Sequence, residues 1–178
     1  VSFKSIDDAT GFPNTIYILN LSTGEITHSV IKNNVLYPNG RNGASIDMIS
    51  NDEFLMFGGK GELGYLQDLW KYNIRTGIWT PYEIEYTPPA RWNHCSYYFE
   101  NKLLVGGGYS DISETGLFEY NLQLNKWTTI LTTGKHEIEN THITAIGNIN
   151  RKKILIYGHV ETGEQKNKLK SYSIEVKK

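Results

Sequence analysis

The chain has 178 residues, and Lys+Arg 18 against Asp+Glu 19 leaves a net charge of -1. Near neutrality gives no electrostatic reason to expect nucleic acid or an anionic membrane as partner, and no run of about 18 apolar residues could span a bilayer. Cys95 is the single cysteine, which excludes an internal disulfide and a cysteine zinc cage and is compatible with the cytosol, the expected compartment.

In chain order the elements read as short strands bounded by turn residues. Ile16-Tyr17-Ile18-Leu19-Asn20, then Thr23-Gly24-Glu25-Ile26-Thr27, predicts two strands about a turn. Ala44 to Ile49 alternates as a strand. Asn51-Asp52 then turns the chain into the apolar run Phe54-Leu55-Met56-Phe57, which ends at Gly58-Gly59. Leu69-Trp70-Lys71-Tyr72-Asn73 and Thr76-Gly77-Ile78-Trp79-Thr80 follow as third and fourth strands. The same four recur as His94 to Phe99, Leu103-Leu104-Val105 ending at Gly106-Gly107, Leu117-Phe118-Glu119-Tyr120-Asn121, and Lys126-Trp127-Thr128. A last set holds His142 to Gly147, Ile154-Leu155-Ile156-Tyr157-Gly158 and Leu169-Lys170-Ser171-Tyr172-Ser173. No stretch carries helical periodicity, so the predicted fold class is all-β.

Gly58 to Gly106 and Asn73 to Asn121 are both 48 residues, while Asn20 to Asn73 is 53 and Gly106 to Gly158 is 52. A period near 50 with loops of unequal length describes stacked modules, each a small sheet. Paired glycines let another backbone or ring approach closely. Tyr72 and Trp79, like Tyr120 and Trp127, lie seven apart. Across a short hairpin that spacing puts both rings near the glycine step, as fillers between sheets. Gly58, Gly59, Tyr72, Trp79, Gly106, Gly107, Tyr120 and Trp127 are therefore read as structural.

An apolar strand, Gly-Gly, Leu-x-x-Tyr-Asn and then Trp together resemble Kelch repeats, over almost the whole chain. The resemblance implies four-stranded antiparallel blades of a β-propeller, with approximate repeats 1–40 (partial), 41–90, 91–139 and 140–178 (partial). The end copies depart from the pattern: Leu19 and Ile26 stand where the aromatic pair belongs, and His159 replaces the second glycine. Propellers have roughly four to eight blades of about 50 residues, so about three and a half blades and an incomplete ring are expected. Tyr172 asks for a tryptophan-like residue at position 179, one beyond Lys178. The missing blades are expected from the rest of the same protein. Closure by a strand at Val1-Ser2-Phe3-Lys4, or by a second copy, are the alternatives.

Candidate chemistry is sparse. His94 and His142 are repeat-equivalent and read as polar residues hydrogen-bonded within their own blades, while His28, His136 and His159 share no metal-ligand spacing. Cys95 and His94 are adjacent on a strand and point to opposite faces, so they make no dyad, and Cys95 reads as a small buried residue. Gly58-Gly59-Lys60-Gly61 and Gly106-Gly107-Gly108 lack phosphate-loop spacing. Asp111, Glu114, Glu161 and Glu164 single out no carboxylate pair, and Asn20-Leu21-Ser22 is a formal glycosylation sequon. No catalytic residue, metal or cofactor is assigned.

The loops remain: 60–68, 108–116 and 159–168 after the glycine steps, and 30–41, 81–92 and 131–141 between modules. The Kelch resemblance implies that both sets gather on one face and bind a partner protein. Arg41 and Arg91, 50 apart, could then present guanidiniums to an acidic segment, a series broken at Glu139. Trp92, Tyr65, Tyr86 and Tyr109 are aromatics of the kind enriched in interfaces, or else caps on the blade ends. The leading reading is a non-enzymatic interaction module of a scaffold or adaptor. The alternatives are a copper oxidase similar to galactose oxidase, or an extracellular glycan-binding propeller.

Overall fold

The computed structural model describes residues 15–28, 36–112, 116–131, 141–150, 153–160 and 169–175, the last three by backbone alone. Val1-Ser2-Phe3-Lys4, the alternative closing strand, lies outside the described residues, as do Glu114, His136, Glu139, Glu161 and Glu164. The side chains of His142, His159 and Tyr172 lie outside the description too.

Among the described residues every regular element is a strand. β1 (Tyr17–Leu19) and β2 (Ile26–His28) pair as a two-stranded sheet. β3 (Ser45–Met48), β4 (Glu53–Gly61), β5 (Gly64–Asn73) and β6 (Ile78–Pro81) form an antiparallel sheet in chain order. β7 (Cys95–Phe99), β8 (Lys102–Gly106), β9 (Leu117–Asn121) and β10 (Lys126–Ile130) repeat it. β11 (Thr141–Asn150), β12 (Lys153–Val160) and β13 (Leu169–Glu175) make a three-stranded sheet. β3 lies against β7 and β7 against β11. Successive first strands thus converge, as the inner strands of propeller blades do.

The recurring asparagine has a local cause. Asn20 Oδ1 accepts from the amides of Ser22 and Thr23, Asn73 Oδ1 from Thr76, and Asn121 Oδ1 from Gln123 and Leu124. Each closes the turn into the fourth strand. Four residues on, the chain needs a left-handed residue, supplied by Gly24 (φ 74°), Gly77 (φ 70°) and Asn125 (φ 51°). Side-chain chemistry and backbone freedom therefore cooperate to set the third-to-fourth strand register.

That register brings the aromatic pair together. Tyr72 lies opposite Trp79 and Tyr120 opposite Trp127, with ring centroids 4.7 and 5.1 Å apart. Neither pair sits at the glycine step of its own blade, because Tyr72 pairs with Phe54 and Tyr120 with Leu103, at the far end of the second strand. Trp127 instead reaches the preceding blade, 5.1 Å from Phe57 beside Gly58. Leu55, Phe57 and Leu69 of one blade and Leu103, Val105, Phe118, Tyr120 and Trp127 of the next form a single buried cluster.

The glycine steps align differently from the sequence reading. Gly58 and Gly59 have φ 61° and 104°, and the matching pair is Gly107 and Gly108, at 67° and 82°. Asn42 bridges Lys60 just as Trp92 bridges Tyr109, so Gly106 occupies the place of Phe57. The offset arises because three consecutive glycines hide which two carry the bend. A Cβ on Gly58 would meet the Arg91 carbonyl oxygen at 2.8 Å, and one on Gly108 would meet the Trp92 carbonyl oxygen at 2.6 Å. Gly58 thus admits the chain entering the following blade, and Gly108 the chain entering its own.

The repeat period reappears as hydrogen bonds between blades. His94 Nε2 lies 2.9 Å from Ser45 Oγ, Ser96 Oγ donates to Asp47, and the Tyr98 amide donates to Asp47 Oδ1 at 3.2 Å. His94 therefore bonds across to the preceding blade, correcting the expectation of a bond within its own. Burial, then the positive charge of Arg91, lower its pKa to about 3, so the ring is neutral. Cys95 is half-buried and not enclosed, and burial pushes its thiol up.

Candidate interaction site

The central hairpin of the blade β3–β6 continues past its glycine step. Gly59 pairs with Leu66, Lys60 with Tyr65 and Gly61 with Gly64, leaving a two-residue tip, Glu62-Leu63. β8 stops at Gly106, so the first hairpin stands taller than its neighbour. Leu63 at its tip is 100% exposed.

The expected loop 60–68 is therefore mostly strand, and at its tip three aromatics meet, Tyr65 from β5 itself. Tyr65 stacks on Trp92 with centroids 6.2 Å apart and an interplanar angle of 18°, and Trp92 lies 5.7 Å from Tyr109. The Lys60 ammonium sits over the first two rings, 5.8 Å from the Tyr65 centroid and 5.5 Å from Trp92. Tyr65 comes from the tall hairpin, Trp92 from the connection into the next blade, and Tyr109 from the segment after β8. Tyr109 keeps an exposed edge. Tyr86 is exposed as well, but the ring contacts among the described residues do not join it to this group.

Arg41 and Arg91 do not face a partner. Both are buried, Arg91 completely at 0% exposure. Arg41 forms a two-pronged pair with Asp68 at 2.5 and 2.8 Å and donates to the carbonyls of Gly58 and Asn39. Trp70 Nε1 donates to the same carboxylate at 2.6 Å. In the next blade Gly116 and Phe118 stand at the places of Asp68 and Trp70. There Arg91 lays its guanidinium 4.7 Å from the Phe118 ring centre and donates to the Gly107 and Pro89 carbonyls. The physical reason is shared: each glycine step turns a carbonyl inward, and a guanidinium can satisfy it and still fill space. These arginines tie the blade entry to the glycine step.

Two carboxylates nearby behave oppositely. Burial alone would raise the Asp68 carboxyl, but the hydrogen bonds and charge of Arg41, with the Trp70 bond, outweigh it and hold it below the usual range. Asp47 is raised, because burial outweighs its bonds from Ser96 and Tyr98. The depressed Asp68 group contributes stability above its unfolded pKa of 3.8 that is lost as pH falls through the folded value. The raised Asp47 group gains stability as pH falls and loses it as pH rises through the folded value. Asp68→Asn is therefore expected to cost about 2 kcal/mol at pH 7, between the values for exposed and buried pairs. That difference should persist down to the unfolded pKa of 3.8 and shrink only below it, as pH falls through the folded value. Asp47→Asn should cost nothing at pH 7. Denaturation midpoints at several pH values check both.

The repeat, the convergent inner strands and the glycine–arginine lock agree with a family-level match. A model of the KLHDC2/KLHL20/DRC7 Kelch-repeats domain matches residues 5–178. The chain belongs to the Kelch-repeat family. Kelch repeats are typically non-enzymatic and generally mediate protein–protein interactions. No curated protein sequence matches the chain significantly.

Among the described residues of this Kelch segment, no three His, Cys, Asp or Glu side chains are arranged to hold a metal ion. Sequence reasoning singled out Tyr65, Trp92 and Tyr109 separately and missed Lys60, Leu63 and Asp68. A Gly61-Glu62-Leu63-Gly64 tip could have signalled the tall hairpin. Asp68 had no repeat-equivalent carboxylate to draw notice.

Proposed function

We propose that this Kelch segment is a protein-interaction module of a scaffold or adaptor, binding its partner through the face marked by Lys60, Leu63, Tyr65, Trp92 and Tyr109. The observation that carries this reading is the convergence of three segments, a hairpin tip, the connection into the next blade and the stretch after β8, on one aromatic shelf beside a fully exposed leucine. Partly exposed aromatic side chains bury large area at little entropic cost, which suits a binding hot spot. The Lys60 ammonium adds a charge that can choose between partners more than it adds affinity. A reducing compartment such as the cytosol fits a chain with a single cysteine.

Affinity capture with the intact protein tests the face. Leu63→Ser with Tyr109→Ala alters two exposed side chains, so the fold is expected to stay intact while bound partners are lost. The same partners, captured in the same amounts by the double variant, would overturn the assignment. Arg91→Ala is unsuitable for this purpose, because it removes a buried tie.

A further inference from the structure

Most cations of the two complete blades are matched within the chain. Arg41 pairs with Asp68, Lys71 with Glu53, Arg75 with Asp52 and Lys102 with Glu119, and Arg91 is buried over Phe118. Lys60 differs. It is exposed, no carboxylate among the described residues pairs with it, and two rings, Tyr65 and Trp92, lie under its ammonium. Lys126 also lacks a carboxylate among the described residues, but it stands on the edge strand β10 with no ring beneath it.

A cation seated on two rings is already ordered and partly stripped of water, so an anion meets it on better terms than a freely moving lysine. The anion it suits carries one charge. A phosphate is gripped by several guanidiniums or by backbone amides, and here Arg41 and Arg91 are turned inward. The amides of Asn42, Lys60, Trp92 and Tyr109 are bonded to one another's carbonyls, so they are not open to a phosphate or a chain-terminal carboxylate. Glu62 on the hairpin tip and Asp111, two residues past Tyr109, are exposed carboxylates that would repel a run of acids. Leu63 and Tyr109, 100% and 48% exposed, offer apolar contact on the same face.

We infer that the partner of this face is an extended peptide segment with one Asp or Glu side chain set against Lys60 and an apolar side chain set against Leu63 and Tyr109. This rests on the reading of the face as an interface and adds the chemistry of what it takes. The apolar residue supplies most of the affinity, while the single carboxylate fixes register and rejects basic segments. The tall hairpin makes a step above β8, and a narrow segment can follow such a step.

Selection of a phage-displayed library of random short peptides on the intact protein tests this. The enriched peptides are expected to share one Asp or Glu at a fixed spacing from an apolar residue, and selection on Lys60→Glu should return Lys or Arg at that place. For a synthetic peptide from the first selection, Lys60→Met should weaken binding about fivefold at low salt, the upper end for a single exposed pair. The difference should shrink at high salt. The same acidic peptides from both selections, no enriched peptide, or tighter binding with phosphoserine in place of the acidic residue would overturn the inference. Binding untouched by Leu63→Ser with Tyr109→Ala would place the peptide elsewhere and sink the interface reading itself. Binding lost in that double variant but unchanged in Lys60→Met would keep the interface and remove the carboxylate.

Discussion

Replacing Trp127 by alanine is expected to cost about 4 kcal/mol of unfolding free energy, the range for deleting a large buried ring. Trp127 is 2% exposed and touches Tyr120 in its own blade and Phe57 in the preceding one. Its indole Nε1 has no hydrogen-bond partner among the described residues, so the loss is packing and not a broken polar contact. A ring of this size buries roughly 150–250 Å², and at about 25 cal/mol per Å² the area alone accounts for the effect. Trp79 occupies the same place in the preceding blade but is only half-buried. Trp79→Ala is accordingly expected to cost about 2 kcal/mol. Chemical denaturation followed by circular dichroism separates the two. Equal losses would mean that Trp127 does not join the blades as its contacts indicate.

Arg91→Ala is expected to cost about 3 kcal/mol, from lost hydrogen bonds and the cavity left by a wholly buried side chain. The guanidinium satisfies the carbonyls of Gly107 and Pro89 at 3.1 and 3.0 Å and packs over Phe118. Arg91→Lys keeps the charge and part of the volume but loses the planar fork, so about half of the loss should remain. A second measurement distinguishes the charge from the volume. Burial first, and then the positive charge of Arg91, hold His94 at about 3. Removing the charge should move the His94 titration toward its ordinary 6.5, observable by proton chemical shift. Unchanged stability together with an unmoved His94 titration would contradict the role given to Arg91.

Much of the fold was legible because its constraints are local. The Asn at the end of each Leu-x-x-Tyr-Asn unit closes its own turn, and Gly24, Gly77 and Asn125 supply the left-handed residue that follows. The seven-residue spacing places Tyr72 opposite Trp79 and Tyr120 opposite Trp127. The glycine step was half-legible: positive φ at Gly58 and Gly59 has its counterpart at Gly107 and Gly108, one residue later than the apolar run suggested. Only the bridge partners decide between three adjacent glycines.

The candidate site was less legible, since it is made between modules. Arg41 and Arg91 read as loop cations, yet each is drawn inward by a carbonyl that the glycine step turns toward it. A sequence gives charge and spacing but not the direction of a distant carbonyl. Tyr65, Trp92 and Tyr109 were individually conspicuous. That they share one shelf under Lys60 depends on the tall hairpin of one blade leaning beside the entry of the next.

By itself, then, the sequence determined the strands, their turns and their recurrence, because hydrophobic alternation, asparagine turns and glycine freedom act over a few residues. The tertiary structure alone decided which side chains are inside, which bonds cross from blade to blade, and which loops meet. Those outcomes depend on how two sheets about fifty residues apart in sequence come to lie against one another. Burial and hydrogen-bond geometry exist only once they do, and with them the change of Arg41 and Arg91 from candidate ligands into buried ties.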